Sequence, residues 1–130
     1  VEEMANHGFA FGSHTRSHVI LPYETDDGIR AELVGAAGDI RLRLGHSPAA
    51  FAYPDGQFDD RTAGLVADSG CQAAFTCEEG FVSRRSPRHA LPRLLMHDGV
   101  SADAAGNFSS AMFLTYLSGT ITRRYRRVGK

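Results

Sequence analysis

Two histidines four residues apart, His14 and His18, stand in Gly12-Ser13-His14-Thr15-Arg16-Ser17-His18, directly after the apolar run Phe9-Ala10-Phe11. If this segment starts a helical turn, the two imidazoles share one face about one turn apart, which is half of a metal site. A divalent ion of the zinc type in a hydrolytic centre takes three protein ligands and keeps a position for water, so a third donor, a carboxylate by preference, is required. Spacing alone is also met by two ordinary polar residues of a helix, the commoner arrangement. Further along, Pro54-Asp55-Gly56, Arg93 and His97 carry types that could act in catalysis. On their own the first and last are equally a strand-to-helix turn and a strand-end histidine, and a surface arginine is the commoner reading of Arg93.

The elements that would position these residues can be read from local chemistry. Val1 to His7 with Gly8 behind it has the pattern of a last helical stretch and its glycine stop, and Phe9-Ala10-Phe11 reads as a short buried strand. Thr25-Asp26-Asp27 is N-cap chemistry, and Ile29, Leu33, Ala36, Ala37, Ile40 and Leu44 follow at helical spacing before Gly45. Ala49 to Tyr53 reads as a strand ended by Pro54-Asp55-Gly56, and Asp59-Asp60 then cap a helix through Leu65 and Val66 that stops at Gly70. Gln72 to Thr76 is the next strand, Glu78 to His89 a polar loop, Leu91 to Met96 another short apolar run, and Phe108 to Leu117 a last helix. Strands alternating with helices predict an α/β chain with a mainly parallel sheet. In such folds ligands gather at the carboxyl ends of the strands, where His14, Pro54 and His97 would fall.

Composition narrows the classes. The chain has 130 residues, 42% hydrophobic and 22% charged, enough for one buried core. With a net charge of −1, overall charge gives no reason to expect nucleic acid as a partner. Arg123, Arg124, Arg126, Arg127 and Lys130 hold five of the fourteen basic groups, so residues 121–130 form a basic C-terminal tail behind a domain spanning 1–120. Such a tail is more commonly a solvated end than a contact to a polyanion. No apolar run approaches the roughly 20 residues of a membrane span. Cys71 and Cys77, if both on one extended strand, would lie about 20 Å apart, too far for a disulfide, and read as packed thiols. The opening on Val1, without an initiator Met or signal pattern, predicts a piece of something longer.

Residues 7 to 18, His-Gly-Phe-Ala-Phe-Gly-Ser-His-Thr-Arg-Ser-His, resemble the second motif of the polysaccharide deacetylases, the NodB-homology domains of carbohydrate esterase family 4. Phe51-Ala52-Tyr53-Pro54-Asp55-Gly56 is similar to the family's third motif, R-x-P-Y-G. Gly70 to Thr76 and Leu91-Pro92-Arg93-Leu94 resemble its later strands, and Leu95-Met96-His97 its fifth motif, L-x-H. The resemblance implies a partial distorted (β/α) barrel. Its first motif, T-F-D-D-G, would precede the histidines. Thr25-Asp26-Asp27-Gly28 follows them and reads as a helix start instead.

What the resemblance implies about activity is a metal-dependent hydrolase that removes N- or O-acetyl groups from a polysaccharide or oligosaccharide, cutting carbon–nitrogen bonds where the group is an amide. His14 and His18 would hold a divalent ion, zinc first and cobalt, nickel or manganese as alternatives. Pro54 and Asp55 would present a backbone N–H to the oxyanion, and His97 would protonate the leaving amine. Tyr53 and Arg93 would touch substrate, Arg93 also being a candidate ion-pair partner for an active-site carboxylate. The base and the third metal ligand would lie before Val1, so these 130 residues alone are expected to be inactive, with an open sheet edge. Ala52 stands where the family has Arg, and Asp55 where it has Tyr. These departures leave room for a noncatalytic carbohydrate-binding relative. The family also implies an extracellular, periplasmic or cell-envelope location.

Overall fold

The computed structural model describes residues 1–120, and the basic tail at 121–130 lies outside the described residues. A short helix α1 (Glu2–Asn6) is followed by a loop, and α2 (Asp26–Leu44) by strand β1 (Ala50–Ala52). Then come α3 (Asp60–Asp68), β2 (Ala73–Phe75), α4 (Asp98–Ser101) and α5 (Ser110–Leu117). Ser13 pairs in parallel with Phe51, β1 with β2, and Phe75 with Leu91. Within β1 and β2 the partners are Ala50 with Ala73, Phe51 with Ala74 and Ala52 with Phe75. Four consecutive stretches of chain therefore lie side by side in chain order with all carboxyl ends on one rim, as the βα alternation predicts.

The helices begin and end where side-chain chemistry directs. Thr25 accepts from Gly28 N–H at the start of α2, Asp26 and Asp27 occupy its first turn, and Gly45 closes it at φ +79°. Ile29, Leu33 and Ala36 are buried on its inner face. Asp59 and Thr62 form a reciprocal capping box for α3, and Ser109 caps α5 by accepting from Met112 N–H. The sequence starts α5 at Phe108, whereas the helix opens two residues later because Phe108 is held in an antiparallel bridge to Ala102.

Two strand expectations are corrected. Phe9-Ala10-Phe11 is not a strand: Phe9 is 59% exposed, and pairing starts only at Ser13. A strand exists by virtue of its partners, and no described residue pairs with the side of this segment away from β1. In the run Leu91 to Met96 only Leu91 pairs, and the rest is irregular.

Side-chain alternation along β1 decides what faces the helices. Phe51 and Tyr53, two residues apart, point to the same side and pack with Leu21, Ile29, Leu33, Leu65 and Val66. The Phe51 and Tyr53 rings meet edge to face at 5.3 Å, and Phe58 stacks on Tyr53 at 5.1 Å. Burial of Phe51 contributes roughly 1.5–3 kcal/mol. Cys71 and Cys77 are both free, and Cys71 packs against this core.

Candidate active site

The carboxyl rim of the sheet carries His14, the turn Pro54–Gly56, Cys77 and Arg93. His14 and His18 do not sit on a helical turn: the chain loops out with Thr15 at φ +60° and His18 at φ +61°. The loop nonetheless brings the two rings together, edge to face with centroids 4.8 Å apart. The Nδ1–H of His14 donates to the carbonyl of Ala52 at 2.7 Å. That contact leaves the lone pair on Nε2, the arrangement by which a backbone carbonyl orients a metal-ligating imidazole. Two exposed imidazoles with one fixed tautomer fit half of a hydrolytic metal centre. Among the described residues no group of three His, Cys, Asp or Glu converges.

The Pro54–Gly56 turn is a tight 3-10 turn in which Gly56 N–H bonds to Tyr53 C=O and Gln57 N–H to Pro54 C=O. Asp55 lies at φ +51°, exposed, and its N–H has no hydrogen-bond partner among the described residues. It is the free donor of the turn. Gly56 is required by close approach: a Cβ there would lie 2.5 Å from both the backbone N and the Cβ of Cys77, and its φ is +67°.

Arg93 reaches the same corner. Its Nη2 donates to Cys77 Sγ at 3.4 Å and its backbone N–H to Glu78 C=O at 3.0 Å. Its Nε is buried without a hydrogen-bond partner among the described residues. His97 stands apart and exposed, its Nδ1 accepting from Gly99 N–H at 3.1 Å.

Two expected contributions are corrected. Tyr53 is not a substrate contact: it is fully buried on the helix side, its hydroxyl donates to His89 C=O at 2.8 Å, and burial pushes its pKa well up. Pro54 is also buried, so it shapes the turn that presents Asp55 and touches nothing outside the protein. Conversely, Glu32 on α2 is tied to the His14–His18 loop, and hydrogen bonds from Ser17 hold its carboxyl below the usual carboxylate range. In the sequence it looks like one more acid on a helix surface. The hint is its position between the buried Ile29 and Leu33.

The sequence profile of the polysaccharide deacetylases matches residues 1–74. This chain belongs to the polysaccharide deacetylase family. YxkH of Bacillus subtilis, named after the family, is 28% identical over 86% of this chain and 40% of its own length. Chitin deacetylase 2 of Saccharomyces cerevisiae is 30% identical over 62% of the chain and 26% of that protein. Among solved structures, the Streptococcus pyogenes deacetylase PplD, in complex with acetate, superposes with a TM-score of 0.69 at 27% identity. The match covers 72% of this chain and 41% of PplD. A polysaccharide deacetylase from Bacillus cereus gives 0.64 at 29% identity, over 72% of this chain and 30% of its own. The parallel sheet with α2 and α3 is thus part of the distorted (β/α) barrel of the polysaccharide deacetylases. The chain spans less than half the length of the relatives it matches.

Proposed function

We propose that the complete protein is a metal-dependent hydrolase that removes acetyl groups from a polysaccharide or oligosaccharide. The observation that carries this reading is the His14–His18 pair, with His14 oriented by the Ala52 carbonyl, at the carboxyl rim of a polysaccharide-deacetylase sheet. His14 and His18 would hold a divalent ion, zinc by donor type, with cobalt, nickel or manganese as alternatives. A divalent ion so held acidifies a water and polarises an acyl oxygen.

This chain's own groups have distinct tasks in the reading. The free N–H of Asp55 donates to the oxyanion, a task that a change of side chain at this position leaves intact. Arg93, whose buried Nε lacks a partner among the described residues, pairs with the carboxylate that serves as base. His97 hands a proton from Nε2 to the leaving amine. Acid duty puts a proton on each ring nitrogen, so it also requires Gly99 N–H to release Nδ1. That contact is the observation favouring the second reading, a carbohydrate-binding relative without hydrolysis. An acetylated polysaccharide of this kind would be met outside the cytoplasm or in the cell envelope. Among the described residues, no helix is long and apolar enough to cross a membrane.

The test is acetate release from N-acetylated and O-acetylated oligosaccharides by the complete protein loaded with each divalent metal. Release that depends on metal is expected. Saccharide binding measured calorimetrically, with no release under any metal, favours the binding relative.

A further inference from the structure

The His14–His18 loop adopts a conformation its sequence resists. Thr15 is β-branched at φ +60° and His18 is a second non-glycine residue at φ +61°. Residues held there cost about 1–3 kcal/mol each and persist only where their surroundings over-determine them. Between them, the backbone N–H groups of Arg16 and Ser17 both point at Glu32 Oε2, at 2.8 and 2.9 Å. The hydroxyl of Ser17 donates to Glu32 Oε1 at 2.6 Å. One carboxylate therefore satisfies two consecutive amides and a hydroxyl, a concave donor set of the kind that binds anions.

The same face of α2 grips the loop twice more. Arg16 Nε donates to Asp39 Oδ2 at 3.0 Å. The Arg16 stem lies across Gly35, where a Cβ would come within 2.9 Å of Arg16 Cδ. Glu32, Gly35 and Asp39 fall at i, i+3 and i+7, one line along the helix. Acid, gap and acid match the loop's amides, arginine stem and guanidinium in order.

We propose that Glu32 is a positioning residue for the His14–His18 pair, clamping the Arg16-Ser17 backbone so that the two imidazoles are already convergent before any ion arrives. Gly35 and Asp39 complete the clamp by seating Arg16. The inference rests on the reading of His14 and His18 as metal ligands. It assigns a role to residues that touch neither the ion nor the substrate.

The experiment compares Glu32→Ala and Glu32→Gln with wild type and with His14→Ala in the complete protein. The readouts are zinc affinity by chelator competition, amide hydrogen exchange at Arg16 and Ser17 without metal, and thermal unfolding. Glu32→Ala is expected to weaken zinc binding about 10- to 100-fold, as loss of an outer-shell partner does. It should also speed exchange of the two amides while leaving α2 folded. Glu32→Gln, which keeps the shape and one oxygen, should fall between. Unchanged amide protection, or unchanged zinc affinity in Glu32→Ala while His14→Ala loses zinc, overturns the clamp alone. Unchanged zinc affinity in His14→Ala overturns the metal reading, and the clamp's purpose with it.

Discussion

The imidazole of His14 is hydrogen-bonded through Nδ1 to the carbonyl of Ala52, 38 residues further along the chain. The loop that follows the Ser13 bridge is thereby linked to β1 by a functional group of the one and a backbone atom of the other. A change of side chain at residue 52 leaves that acceptor in place, which is why Ala52 still orients the histidine although the family's arginine is missing.

His14 is accordingly expected to carry its proton on Nδ1 whenever the ring is neutral, and ring-nitrogen chemical shifts of the metal-free protein check this. In the complete protein, His14→Ala and His18→Ala are each expected to abolish zinc retention and acetate release together. Full activity in either variant would refute the ligand assignment.

Gly56→Ala should be among the costliest single-methyl additions in the chain. The new Cβ would overlap Cys77 at 2.5 Å in a left-handed backbone, and overpacking with strain costs about 2–4 kcal/mol. Denaturant unfolding measures the loss. Gly38→Ala, in open space on α2, should be stabilising by up to about 1 kcal/mol.

The Asp59 cap predicts an acid-dependent stability. Its carboxyl is held below the ordinary aspartate value, chiefly by the Thr62 amide. A carboxyl with a depressed folded-state pKa contributes stability that is full above the unfolded value, about 3.9, and is lost as pH falls through the lower folded one. Asp59→Ala is expected to cost about 1 kcal/mol at neutral pH. Asp59→Asn should keep most of the cap and flatten the decline below pH 4, as unfolding midpoints against pH will reveal.

Tyr53→Phe separates a core residue from a substrate contact. It removes the hydrogen bond to His89 C=O, expected to lower stability by about 1 kcal/mol. KM for an acetylated oligosaccharide should stay at its wild-type value, and a severalfold rise would return Tyr53 to the substrate site.

Much of this was legible locally. Thr25 and Gly45 bound α2, and Asp59 bounds α3, because caps are written in the residues that make them. The resemblance put Tyr53 against substrate, although period-two alternation along β1 puts it on the buried face with Phe51. The form of the histidine loop was not legible. Four-residue spacing suggests a helical turn, yet the conformation is set by Glu32, fifteen residues beyond Ser17. Phe9-Ala10-Phe11 looks like a strand by composition, but pairing depends on neighbours that composition does not encode.

The chain-order arrangement of the sheet also bears on how the molecule assembles. Each stretch pairs with the next one made, from Ser13 to β1, to β2, to Leu91. Loop closure then spans one connection at a time, across α2, across α3 and last across the helix-free loop between β2 and Leu91, at an entropic cost that grows only slowly with length. Synthesis from the N-terminus could add one unit after another onto an existing edge, so folding can keep pace with the ribosome instead of awaiting the last residue.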